Sequence, residues 1–272
     1  MNDMKRSAVH TATTKPWDLE TAVRKYAEAG VAGISVWKEA LEGRDPKKAG
    51  AMIRSAGVSA VSLVRGGFFP AANAEIRKQR IKDNERLIHV AAELGAPLIV
   101  LVCGADPKVR IADARRHVEA GIEAILPLAE SEGVKLAIEP LHPMYAGDRS
   151  VINTLAEAND LCGRLHSPSL GVAVDVFHVW WDPALETEIA RAGRLGALMA
   201  FHVCDWKTPL LDMLEDRGLM GEGCIDIPRI RGWVEAAGFK GFVEVEIFSR
   251  RFWAMDQDEY LGMILEAMRE HV

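Results

Sequence analysis

The chain has 272 residues, of which 49% are hydrophobic, and a formal net charge of −6 at neutral pH. The apolar fraction is enough to build a sizeable core and excludes a disordered chain. The negative charge argues against a nucleic-acid-binding surface, which needs clustered Lys and Arg, and no apolar run is long enough to cross a membrane. The length is typical of one α/β barrel, so we expect a single domain over residues 1–272.

Eight short apolar runs rich in β-branched residues predict strands, and longer amphipathic segments such as 19–30 and 116–133 separate them. In chain order the predicted strands are SAVHTA (7–12), GISVW (33–37), AVSLV (60–64), LIVLV (98–102), KLAIEP (135–140), GVAVDVFH (171–178), MAFHVCD (199–205) and FVEVEIF (242–248). Several amphipathic segments end in a glycine, which suits the left-handed conformation found at helix C-termini. These glycines are Gly30, Gly57, Gly95, Gly133 and Gly238.

The alternation of strands and helices implies right-handed βαβ units and a parallel sheet. Eight such strands favour closure into a (β/α)8 TIM barrel. A doubly wound open sheet is the main alternative, but it needs a glycine-rich phosphate loop after the first strand, and the segment HTATTKPWD contains no glycine. We therefore predict an α/β protein with an eight-stranded parallel barrel and outer helices.

Acidic and imidazole side chains occur near the C-terminal ends of the last four predicted strands, where barrels carry their catalytic groups. These residues are Glu139, Asp175, His178, His202, Asp205, Glu244 and Glu246. One carboxylate or imidazole from each strand gives a mostly oxygen donor set that suits Mn²⁺, Mg²⁺, Zn²⁺ or Co²⁺. We predict one divalent metal ion, and its four ligands are Glu139, Asp175, His202 and Glu246.

Each of these residues also has a structural interpretation. A strand-end glutamate is often a solvated acid, His202 alone would be a core histidine, and Asp175 could cap the following helix. Four coincidences on neighbouring strands nevertheless favour the metal site. Glu246 is preferred to Glu244 as ligand because it lies nearer the strand end, which leaves Glu244 as an acid inside the barrel that needs a partner.

The long polar loop DWKTPLLDMLEDRGLMGEGCIDIPRI follows the seventh predicted strand. Long loops on the active rim of a barrel usually bind something, and Arg217 in this loop could hold hydroxyls or a carboxylate. Trp37 and other tryptophans near strand ends could line a sugar site. His10 at the end of the first strand and Arg65 in SLVRGGFFP remain without an assigned role.

The segments LAIEP, LGVAVDVFH, FHVCDW, GEGCIDIPRI and FVEVEIFSRRFW resemble the xylose-isomerase-like TIM barrels, the sugar phosphate isomerase/epimerase group. That group includes inosose isomerases, ketose 3-epimerases and hydroxypyruvate isomerases, and the ending VEIFSRRFW is most similar to the inosose isomerase branch. The resemblance implies the same four metal ligands, with His178 and Arg217 contacting substrate. The chain departs from ketose 3-epimerases in offering His142 and Tyr145 where those enzymes carry a further glutamate.

We therefore expect a cytoplasmic, metal-dependent isomerase or epimerase of a keto-sugar or inosose, working through an enediolate with Glu139 and Glu246 as base and acid. The expected partner is a small carbohydrate, without nucleic acid or membrane, and a homodimer or homotetramer is left open. The residues expected to contact the substrate are His178, Arg217, Asp205, His142 and Trp37.

Three alternatives to this function are kept. The first is a lyase or hydrolase that acts on a 3-oxo glycoside or inosose through the same enediolate. The second is an endonuclease IV-like repair enzyme, which the negative charge and the positions of the eight histidines disfavour. The third is a metal-free binding protein. The four cysteines form no CxxC pair and are expected to be reduced thiols.

Overall fold

A computed structural model describes residues 4–272 and contains a closed barrel of eight parallel strands in sequence order. The strands are β1 (Ser7–His10), β2 (Gly33–Trp37), β3 (Ser59–Gly67), β4 (Leu98–Val102), β5 (Lys135–Glu139), β6 (Leu170–Asp175), β7 (Leu198–Val203) and β8 (Val243–Val245). Pairing of β1 with β8, in the register Val9 to Val245, closes the barrel. The predicted TIM barrel is therefore confirmed.

Helices surround this barrel and pack their apolar faces against its outer surface. They are α1 (Leu19–Glu28), α2 (Pro46–Ser55), α3 (Ala74–Leu94), α4 (Ile111–Glu132), α5 (Leu155–Leu165), α6 (Val176–Val179), α7 (Leu185–Arg194), α8 (Ile227–Ala236), α9 (Arg250–Trp253) and α10 (Gln257–His271). Short 3₁₀ turns occupy Met4–Arg6, Lys38–Leu41 and Pro143–Tyr145. Over residues 4–272, no helix has the length and apolar character that a membrane crossing requires.

Five of the predicted strands, the first and the fifth to eighth, extend beyond the observed ones, and two of these differences, in the sixth and the seventh, move the candidate site residues His178 and Asp205 off their strands. Strand β6 ends at Asp175, because the Asp175 carboxylate accepts the Phe177 N–H at 2.9 Å and begins the short helix α6. His178, predicted on the strand, therefore lies on that helix. Strand β7 ends at Val203, which places Asp205 in the following loop. The predicted helix at 116–133 begins earlier, at Ile111, and Gly133 ends it in the left-handed conformation with φ 67°.

Inside the barrel, small side chains line the middle of the strands and polar side chains line their C-terminal ends. Ala137, Ala173 and Ala200 are fully buried and belong to one cluster inside the barrel. Because side chains of a strand alternate between its two faces, the residues two positions further on share this inner face. Those residues are Glu139, Asp175 and His202. The strand periodicity thus delivers three candidate ligands to the same end of the barrel.

A close approach between α2 and the end of α3 gives a prediction about packing. A Cβ added at Gly50 would lie 2.1 Å from the Leu94 carbonyl oxygen, whereas one added at Gly262, on α10, would meet nothing within 4 Å. We expect Gly50→Ala to lower the free energy of unfolding by about 1–3 kcal/mol through overpacking. Gly262→Ala should raise it by about 0.5–1 kcal/mol, because alanine favours helix. Urea unfolding of both variants tests this, and equal effects would contradict the close approach.

Candidate metal and substrate site

Four ligand-type side chains converge at the C-terminal end of the barrel. Glu139 ends β5, Asp175 ends β6, His202 lies on β7, and Glu246 directly follows β8. One ligand atom from each lies within 4.8 Å of all the others, and all four residues are buried. Nδ1 of His202 is 3.1 Å from Oε1 of Glu139, so this nitrogen faces the cluster. The chain therefore brings together the four predicted metal ligands, while their role as ligands stays a prediction.

Arg217 lies inside this cluster rather than at its rim, and only 3% of its surface is exposed. Its Nη1 donates to Asp175 Oδ2 at 2.8 Å and to Glu246 Oε2 at 3.0 Å. The guanidinium stacks between the rings of Phe177 and Phe248, with its carbon 4.5 Å and 5.2 Å from their centroids. Arg217 thus offsets part of the negative charge of two buried carboxylates, whose burial without a cation would be strongly unfavourable.

The two carboxylates paired with Arg217 differ in their affinity for protons. Burial raises the pKa of Asp175 to about 7, although Arg217 opposes this shift. Burial would also raise the pKa of Glu246, but the charges of His10 and Arg217 outweigh it and hold that pKa well below its usual range. Glu246 is therefore ionised at neutral pH, as a general base must be.

His202 carries the compensating positive charge on the other side of the cluster. Burial disfavours its protonation, but the surrounding Glu244, Glu139 and Glu246 raise the pKa of His202 to about 10. An imidazole must be neutral to ligate a metal, so a metal ion at this site would displace the His202 proton. The cation would then take over the charge that this proton supplied.

A second polar layer lies beneath the cluster and was not assigned a role from the sequence. His10 Nδ1 is 3.0 Å from Glu246 Oε1, and His10 Nε2 is 3.3 Å from Glu244 Oε2. Ser35 Oγ donates to the same Glu244 oxygen at 2.5 Å. Glu244 is therefore the acid inside the barrel that the sequence predicts, and Ser35 and His10 are its partners. His10, His202 and Glu246 form a second group whose ligand atoms also lie within 4.8 Å of one another.

A cavity opens above the carboxylate cluster, with about 570 Å³ of empty space when the open solvent at its mouth is included. Trp37, His178, Arg217 and Phe248 line it. Burial, together with the charge of Arg217, holds the pKa of His178 well below its usual range, so this imidazole is neutral. Its Nε2 lies 3.2 Å from Arg217 Nη2 and can accept that N–H.

The structure does not bring Asp205 and His142 to the wall of this cavity. The Asp205 carboxylate accepts four backbone N–H groups, from Trp206, Gly221, Gly223 and Ile225. These bonds use its oxygens to shape the loop that carries Arg217. His142 Nδ1 accepts the Met144 N–H at 3.2 Å and packs its ring near Trp206. Both residues support loops at this end of the barrel.

The barrel agrees with the family comparison. The model of the xylose isomerase-like TIM barrel family matches residues 23–271, and the chain belongs to that family. It is 22% identical over 209 residues to an inosose isomerase of Bacillus licheniformis, an alignment that covers 75% of this chain and 73% of that protein.

Two solved structures share the fold over almost the whole chain. Protein SMc04130 of Sinorhizobium meliloti 1021 is 45% identical, with a TM-score of 0.96 and 99% of both chains covered. The IOLI protein, solved with a binding zinc atom, is 18% identical, with a TM-score of 0.85 and coverage of 98% of this chain and 99% of that one. The second likeness concerns the fold alone.

Proposed function

We propose that the protein is a divalent-metal-dependent isomerase or epimerase of a keto-sugar or keto-inositol, acting as a single barrel domain in the cytoplasm. One observation carries this proposal: four buried ligand atoms, three of them carboxylate oxygens, lie within 4.8 Å of one another at the floor of a small-molecule cavity. The inosose isomerase named among the relatives supports the substrate class.

The donor set fits a divalent ion. Three carboxylates and one imidazole, from Glu139, Asp175, Glu246 and His202, are buried together, and each offers a ligand atom to the same small space. This combination suits Mn²⁺, Mg²⁺, Zn²⁺ or Co²⁺. Such an ion supplies a Lewis acid that polarises a carbonyl and stabilises the negative charge of an enediolate. The zinc in the IOLI structure is consistent with this class of ion.

Proton transfer falls to the two glutamates. Glu246 is ionised and accepts the proton from the carbon next to the substrate carbonyl. Glu139, which takes a proton from solvent before the step, gives that proton to the neighbouring position, and Glu246 releases its own proton to solvent afterwards. Arg217 and the neutral His178 hold substrate oxygens from the side of the cavity. Trp37 and Phe248, with ring centroids 5.0 Å apart, form an apolar wall that keeps water from the enediolate.

A second candidate function is elimination of a group from the carbon β to the carbonyl, by the same enediolate. It is supported by a larger second cavity that shares Trp37, Leu214 and Phe248 with the first. Trp17, Trp253 and Lys15 also line this second cavity, which has room for a second sugar or another leaving group. Product analysis separates the two candidates, because isomerisation conserves the substrate's mass and elimination releases a fragment.

The test combines metal loading with exchange of substrate hydrogen. Inososes and keto-sugars are incubated with metal-free and metal-loaded protein in D₂O, and NMR follows deuterium incorporation next to the carbonyl. We expect exchange only with metal-loaded protein, and a rise in melting temperature on metal addition. Absence of metal binding, or exchange that is independent of metal, would contradict the proposal.

A further inference from the structure

We propose that the substrate carries an anionic group, a carboxylate or a phosphate, and that Arg65 and Arg149 bind this group in the cavity above the carboxylate cluster. Both arginines line that cavity, and both are half-buried where the candidate ligands are fully buried. The inference rests on the proposed function, which decides which part of the substrate reacts. The recognition of the anion itself does not require turnover.

Arg65, near the end of β3, is held in place by aromatic rings and not by a carboxylate. Its guanidinium carbon lies 5.5 Å from the ring centroid of Trp37 and 4.8 Å from that of Phe68. Its Nε is buried and has no hydrogen-bond partner among residues 4–272. Burial lowers the pKa of Arg65, although Glu39 opposes this effect. Aromatic stacking orients a guanidinium without neutralising it, so this charge is fixed and available.

Arg149 approaches the same cavity from the loop before α5. Its closest carboxylate is that of Asp148, with Nε and Oδ2 3.8 Å apart, and the Asp148 side chain is 67% exposed. Such an exposed, long contact neutralises an arginine only weakly. The guanidinium carbon also lies 5.8 Å from the Tyr145 ring centroid. Repulsion from Arg149 also helps to lower the pKa of Arg65, after the larger effect of burial.

Two cations that face one cavity repel each other, and an anion bound between them offsets this repulsion. The third arginine of the cavity wall, Arg217, already has its charge engaged by Asp175 and Glu246. The chain carries a net charge of −6, so two positive charges at one cavity are not the result of a generally basic protein. Guanidinium groups match the oxygens of carboxylates and phosphates. A neutral sugar would leave Arg65 with the charges of Glu39, Glu139 and Glu246, none of which forms an ion pair with it. It would leave Arg149 with the exposed Asp148.

The test uses three ketoses that differ at one end only: D-fructose, D-fructuronate and D-fructose 6-phosphate. Isothermal titration gives their affinities for metal-loaded protein. We expect at least one anionic ketose to bind roughly tenfold or more tightly than D-fructose, as charge-assisted hydrogen bonds allow. Arg65→Gln and Arg149→Gln should each remove most of this preference. Arg116→Gln, at a 72% exposed position on α4, is the matched control and should keep it.

Each outcome has a defined meaning. Tighter binding of the fructuronate alone identifies a carboxylate, and tighter binding of the 6-phosphate alone identifies a phosphate. Equal or undetectable binding of all three ketoses overturns the inference, as does a preference that survives both substitutions. Since Arg149 lies on a loop, its variant remains informative if Arg65→Gln fails to fold. If the wild type prefers an anionic ketose but exchanges hydrogen with none of the tested substrates, the proposed function is contradicted and the anion site stands.

Discussion

Glu246→Gln is expected to lower turnover by about 10²–10⁴-fold, the usual contribution of a general acid or base. The change keeps the size of the side chain and one ligating oxygen, but it removes the negative charge that His10 and Arg217 stabilise. Metal affinity should also fall, because an amide oxygen attracts a divalent ion less than a carboxylate does. The assay is therefore run at saturating metal, and exchange of substrate hydrogen with D₂O should fall together with turnover.

Glu244→Gln provides the comparison for this experiment. Glu244 is equally buried and only two residues away, yet it lies beneath the cluster, where Ser35 and His10 hold it. We expect this variant to lose stability and to retain far more hydrogen exchange than Glu246→Gln. If the metal-saturated Glu246→Gln protein keeps near wild-type exchange, Glu246 is at most a ligand. A larger loss in Glu244→Gln would assign the base to the deeper acid.

The positions of the candidate ligands could be predicted because strand periodicity and barrel closure are regular. Once β5, β6 and β7 are recognised, the alternation of side chains puts Glu139, Asp175 and His202 on the inner face at the same height. The choice of Glu246 over Glu244 followed from the same argument, since Glu246 lies one residue beyond β8. The barrel and these positions are thus consequences of local patterns repeated along the chain.

The loops and the contacts between distant strands could not be predicted in the same way. Asp205 carries the same polar signal as a ligand, but its oxygens are taken by N–H groups up to 20 residues further along the chain. His10 meets Glu246 only because β1 pairs with β8, a register that no local pattern specifies. Arg217 was placed on a covering loop, whereas the fold of that loop buries its guanidinium between Phe177 and Phe248. Long-range geometry decides all three cases.

Arg217→Met is expected to lower the free energy of unfolding of the metal-free protein by about 3–5 kcal/mol, the usual cost of leaving a buried charge without its partner. Methionine keeps much of the apolar stem between Phe177 and Phe248, but it removes the cation that Asp175 and Glu246 share and leaves Glu246 with His10 alone. Arg217→Lys is the control, because lysine retains the charge without the planar guanidinium group. Its free energy of unfolding should lie between those of the wild type and Arg217→Met. Urea unfolding of the metal-free proteins measures all three.

The deficit of Arg217→Met should depend on pH in a defined direction. Burial already raises the pKa of Asp175 to about 7, and removing Arg217 raises it further, so the folded variant holds a proton that the unfolded chain releases. A carboxyl group whose pKa is raised by folding lowers the free energy of unfolding as the pH rises from its pKa in the unfolded chain to its pKa in the folded protein. The gap between wild type and variant should therefore be larger at pH 8 than at pH 6.

A divalent ion should narrow this gap, because a cation bound by Asp175 and Glu246 replaces the charge that Arg217 supplied. We expect added Mn²⁺ or Zn²⁺ to stabilise Arg217→Met more than it stabilises the wild type, by mass action on a site with a greater need for positive charge. A variant as stable as wild type at both pH values would show that the two carboxylates do not depend on Arg217. A pH-dependent deficit that metal leaves unchanged would show that the ion binds elsewhere, since these two carboxylates would then remain uncompensated.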